Sequence, residues 1–137
     1  MKYEVLDHTA DLGLAIYGRD LKGLFKNAAF AMFDQIAELE RVEERDTFEV
    51  IQDAPNVEEL LVAWLRELLF QFSARDFLFK DFSIEDLSST HIKGTARGER
   101  IDRTRHELKK EIKAVTYHEL KVEKRDGGWR SQVIFDT

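Results

Sequence analysis

Between Leu60 and Phe72 the residues Leu60, Leu61, Trp64, Leu65, Leu68, Leu69 and Phe72 recur at helical spacing and cover a wide arc. A helix this apolar over so broad a face has to be buried against a sheet, and that requirement limits the fold more than any other feature. Asn56 follows the only proline, Pro55, and is placed to cap this helix, with Glu59 set for a capping box. The helix is expected to end between Ser73 and Asp76. An earlier run follows the candidate cap Asp20. There Leu21, Leu24, Phe25, Ala28, Ala29, Met32, Phe33 and Ile36 form one continuous stripe, which predicts a first long helix.

The rest of the chain reads as strands. Lys2 to Leu6 and Leu12 to Gly18 alternate near the amino terminus, and Thr47 to Gln52 alternates between the two helices. Glu38 to Asp46 is charged and loop-like. After the second helix, Phe82 to Asp86 and Ile92 to Arg100 are expected strands. Gly94, Ala96 and Gly98 share one side of the latter, where a helix or a neighbouring backbone can come close. Glu111 to Tyr117 and Leu120 to Lys124 are further extended segments. Asp126-Gly127-Gly128 is a hairpin signal, with Trp129 to Phe135 returning. The order β-β-α-β-α followed by strands predicts an α+β fold, two helices packed on a mostly antiparallel β-sheet, as a single domain over residues 1–137.

At 137 residues one core is expected, burying roughly two-thirds of the unfolded surface. With 43% apolar and 35% charged residues the chain is neither disordered nor membrane-spanning in composition. No cysteine is present, which excludes disulfides, thiolate zinc sites and cysteine nucleophiles. Lys and Arg number 21 against 27 Asp and Glu, a net charge of −6 that argues against nonspecific nucleic-acid binding as the main work. The amino-terminal residues show no long apolar stretch, so a cytoplasmic protein is expected.

Two places carry candidate chemistry. In Asp7-His8-Thr9-Ala10-Asp11 the two aspartates either serve turns by accepting backbone N–H bonds, or supply oxygen to a hard cation. Two carboxylates are too few for such a cation, and Asp136 with the Thr137 α-carboxylate offers more if the two ends meet. The second place is Lys109 to Glu119, with Arg103 and Arg105 upstream, a positive cluster on an acidic chain. Its lysines either protect a sheet edge or, at Lys113, meet a phosphate or an acidic partner. His118 is either a general base or a solvated strand-end residue. The four histidines (His8, His91, His106, His118) share no tight ligand spacing, no serine lies in a GxSxG setting and no Gly-rich phosphate loop exists, so an enzyme is not indicated. A small metal-dependent hydrolase using Asp7, Asp11, Asp136 and His118 is the weaker rival. Direct RNA binding needs stacking aromatics, and most phenylalanines are taken by the helices and the core.

Three stretches together resemble the archease family: Tyr3 to Gly13 with its HTAD core, Glu111 to His118 with its KAVTYH core, and the closing Val133 to Thr137. Their order and separation fit across essentially the whole chain. The resemblance implies an accessory protein of an RNA-splicing ligase and not an independent enzyme. That ligase joins 2′,3′-cyclic-phosphate or 3′-phosphate ends to 5′-hydroxyl ends in tRNA splicing and RNA repair, and the accessory protein speeds its guanylylation and turnover. It further implies a divalent cation, calcium first, on Asp11 and Asp136 with the Thr137 carboxylate helping. Lys113, Asp7, His8 and His118 are then the partner-facing positions. A chaperone-like modulator of a tRNA methyltransferase is the alternative role. Thr137 stands where relatives often end in an aliphatic residue, a change that a backbone carboxylate donor tolerates.

Overall fold

A computed structural model describes residues 1–6 and 11–137. The first sheet carries β1 (Tyr3–Leu6), β2 (Leu12–Gly18), β6 (Ala114–Val115), β7 (Lys121–Arg125) and β8 (Gly128–Asp136), ordered β1-β2-β8-β6 with β7 also on β8. The second is β3 (Asp46–Asp53), β5 (His91–Arg100) and β4 (Phe77–Leu87), with β5 in the middle. Every strand pair is antiparallel. The α+β class and antiparallel pairing are as expected, and the strands divide between two sheets. Helix α1 (Leu21–Ile36) lies against β2 of one and β4 of the other. Helix α2 (Val57–Arg75) packs on the second sheet and reaches β6 of the first. No helix among the described residues is long and apolar enough to cross a membrane.

Both helix starts are fixed by the expected caps. Asp20 accepts the Gly23 amide at 2.7 Å, and Asn56 accepts the Glu59 amide at 2.9 Å. The Asn56 side-chain amide also donates to the Glu59 carboxylate at 2.9 Å, closing the box through the side chain. Asp76 ends α2 in the left-handed region at φ 61°. The two stripes meet the sheets in one core, with Phe33 edge-on to Phe72 and Phe79. Trp64 is wholly buried, and its indole N–H donates to the Phe25 carbonyl at 3.0 Å, joining the helices without leaving a buried donor unpaired.

The small residues of β5 do what their side of the strand suggested. A Cβ at Gly94 would lie 2.8 Å from the Trp64 ring, and one at Gly98 would strike the β4 backbone. Asp126 and Gly127 close the β7–β8 hairpin with φ of 46° and 78°, the positive pair that a two-residue turn of this hand requires.

Two segments differ from expectation. Strand β4 begins at Phe77, five residues before the alternation suggests, because register shifts between Phe79 and Asp81 and between Ile84 and Asp86 break the period of two. Of Glu111 to Tyr117, only Ala114–Val115 joins the ladder. The preceding residues spend their amides on different elements: Lys109 N–H donates to Ile36 O and Lys113 N–H to Asp136 O, each at 2.7 Å. The segment is therefore a strap from the end of α1 to the end of β8.

Candidate functional site

The geometry begins with the register of β2 on β8. Leu12 pairs with Phe135, both buried in the core. Asp11 precedes that pair and Asp136 follows it, so the two acids lie at the same end of the sheet. Beyond Asp136 on its other side comes the strap, held by the Lys113 amide. Asp11, Leu12, Lys110, Glu111 and Thr137 line one open cavity of about 390 Å³. The two ends of the sequence, far apart along the chain, thus meet here. Asp136 and Lys113 are both exposed beside this cavity.

Lys110 and Glu111 belong to the basic stretch Lys109 to Glu119, and their place beside the acidic end is what spacing alone does not give. The signal was present in the pattern: Ile112 is buried, so the exposed Glu111 and Lys113 flank it on the outer side. Lys110 is buttressed from behind. Its ammonium donates to Gln35 Oε1 at 3.3 Å, and Gln35 Nε2 donates to the Tyr3 hydroxyl at 2.9 Å. That hydroxyl in turn donates to the Asp34 carboxylate. Burial first, and the Asp34 hydrogen bond second, push the Tyr3 phenol up to about 12, so it stays a donor throughout the neutral range.

The upstream end of the strap is pinned by a buried carboxylate. Glu99 accepts from Arg105 at 2.7 Å, from His106 Nε2 at 3.0 Å and from the Glu43 amide at 2.7 Å. His106 Nδ1 accepts the Asp102 amide at 2.9 Å, which leaves the ring proton on Nε2, facing Glu99. The Arg105 bonds lead in holding the Glu99 carboxyl down at about 2. With its remaining oxygen capacity filled by the other donors, this carboxylate fixes residues 99–106, and through them the register of the strap.

The structure does not bring His118 into the cavity. Its Nε2 lies 3.9 Å from Glu119, and Glu119 O meets Gln132, four residues down β8 from Asp136. Asp7 and His8 lie outside the described residues. The donors at the cavity are carboxylate oxygens, the chemistry of a hard cation. Among the described residues no three His, Asp or Glu side chains converge as a ready metal-ligand set. Chemically, the arrangement presents several carboxylates and two lysines at an exposed sheet end, a surface for binding.

Residues 3–137 match the model of the archease protein family. The protein archease of Methanosarcina mazei is 42% identical over 139 residues, covering 98% of this chain and 95% of that protein. That of Pyrococcus abyssi is 37% identical over 140 residues and covers 98% of each. The solution structure of a Methanobacterium thermoautotrophicum protein has a TM-score of 0.77 at 34% identity, over 99% of both chains. A crystal structure from Thermotoga maritima, described as an archease and possible chaperone, has a TM-score of 0.67 at 20% identity over 98% of this chain and 96% of that one, a likeness of fold.

Proposed function

This chain belongs to the archease family, and from that premise we propose that it is an accessory protein that activates an RNA-splicing ligase. In this reading Asp11, Asp136 and the Thr137 carboxylate hold a divalent cation, calcium first. The observation that supports it is the meeting of Asp11 and Thr137 in one cavity, with Asp136 beside them. A bound cation supplies positive charge at a tip that is otherwise acidic. The chain's own residues do the rest. The carboxylates enter a partner pocket built for phosphates and metal, where an anionic tip is attracted. Lys113, exposed beside Asp136, meets a phosphate or a carboxylate of the partner. The strap, pinned at Glu99 and at Asp136, keeps these groups in register while the ligase is guanylylated.

The test is Asp11→Ala, with the fold shown intact by its amide spectrum. Loss of ligase stimulation is expected. Stimulation equal to that of the parent protein overturns the reading.

A second reading, a chaperone-like modulator of a tRNA methyltransferase, draws on the half-exposed rings of Phe70 and Tyr117, which suit a protein partner. It needs no cation, so modulation that survives chelation selects it.

A further inference from the structure

A second cavity, of about 510 Å³, lies between the carboxyl-terminal end of α2 and the strap. Its apolar lining is Phe72, Leu108 and Ile112, of which Ile112 is buried and the other two are half-buried. Around them stand Arg103, Lys109, Lys110 and Lys113, against only Asp76 and Glu111. On a chain of net charge −6 this is a local reversal of sign. Lys109 is 3.7 Å from Glu38 and Lys110 is engaged with Gln35. Arg103 and Lys113 have no side-chain ion-pair partner among the described residues.

The apolar character continues beyond the groove. Arg66, Phe70 and Ser73 follow one another at helical spacing on α2. Arg66 donates to Val115 O and packs its guanidinium over the Tyr117 ring at 4.6 Å, while Ser73 lines the groove. Phe70, about half exposed, sits between these two points on the helix face. The result is an apolar floor with an aromatic flank and a cationic rim.

We propose that this groove docks a segment of a partner protein in which apolar anchor residues are flanked by aspartates or glutamates. The inference deepens the reading that the chain works on a protein partner, and it rests on that reading only for the identity of the partner. Charge complementarity selects the occupant. Carboxylates meet Arg103 and Lys113, and the apolar anchors cover Phe72, Leu108 and Ile112. A nucleic-acid strand suits the site less, because the floor of Phe72, Leu108 and Ile112 calls for aliphatic or aromatic anchor side chains between the charges, which a phosphate backbone does not supply.

The experiment is a titration of the isotope-labelled full chain, in chelator, with three probes. One is a short peptide with phenylalanine and leucine flanked by glutamates. The second is the same peptide with lysines for glutamates, and the third is a short oligouridylate. Amide shifts confined to Ser73 and residues 108–113 are expected with the glutamate peptide alone. Arg103→Glu, on an exposed side chain, should weaken that binding by about tenfold, and Lys109→Glu should act in the same direction. No shifts in the groove, equal shifts with the lysine peptide, or the strongest shifts with oligouridylate would each overturn the proposal. Because chelator is present, the outcome is independent of any cation at Asp11 and Asp136. Failure here leaves ligase activation standing, and failure of ligase activation leaves peptide docking standing.

Discussion

The Lys113 amide donates to the Asp136 carbonyl across 2.7 Å, so the basic strap and the acidic end of β8 are joined by a backbone bond. Substitutions of either side chain leave that bond in place. Charge at the tip can therefore be changed without dismantling the geometry that carries it, which separates effects on binding from effects on folding.

Asp136→Ala should leave the cation-free protein as stable as the parent, within about 0.5 kcal/mol, because it removes an exposed acid from an acidic sheet end, and Asp11→Ala serves beside it as a second probe of the cation response. Calcium should raise the melting temperature of the parent by mass action and leave that of both variants unmoved. Scanning calorimetry with and without calcium reads this directly. An equal rise in all three would remove these residues from cation binding.

Glu99 ties acid stability to the strap. Its carboxyl is held at about 2, against an ordinary value of 4.5, chiefly by Arg105. A depressed carboxyl contributes stability that is present above 4.5 and is lost as pH falls towards about 2. Glu99→Gln should lower stability at neutral pH by roughly 3 kcal/mol, since it breaks a buried charged network. Its stability should be flatter than the parent's across that acid window, and the two curves should converge below it. Urea unfolding from neutral pH down to about pH 2 checks the shape.

Tyr3 makes the opposite prediction at high pH. Its phenol is pushed up to about 12 by burial and by Asp34. The associated stability is complete below the ordinary 10.0 and is lost as pH rises towards about 12. The difference between the parent and Tyr3→Phe phenolate absorbance titrations should show one late-ionising group. The variant should also lose about 1 kcal/mol, as the Gln35 amide gives up its acceptor.

Gly94→Ala should destabilise by about 1–3 kcal/mol, because the added methyl meets the Trp64 ring at 2.8 Å. A smaller ring should relieve the clash, so the Trp64→Phe/Gly94→Ala pair should cost less than the sum of its parts. Additive losses would show that α2 shifts as a body instead.

Legibility in the sequence tracked the range of the interactions. Both helices and the Asp126-Gly127 turn were readable because stripe, cap and turn chemistry are local. The early start of β4 was hidden by its bulges, which shift the alternating face twice. The division into two sheets depends on β8 pairing with β2, more than a hundred residues earlier, and no local pattern encodes such a partner. Glu99 with Arg105, His106 and Glu43 is hidden for the same reason, since a charged residue reads as surface until its partners are known. At the candidate site, resemblance and chemistry brought Asp11 together with the carboxyl end. Lys110 and Glu111 joined them only once the strap was placed.

The most direct measurement is a single-turnover guanylylation assay of the cognate RNA ligase, with and without this protein, before and after the protein is chelated. Acceleration that disappears on chelation and returns when calcium is restored is the expected result. Acceleration that ignores chelation, or none at all, would contradict activation through a cation at Asp11 and Asp136.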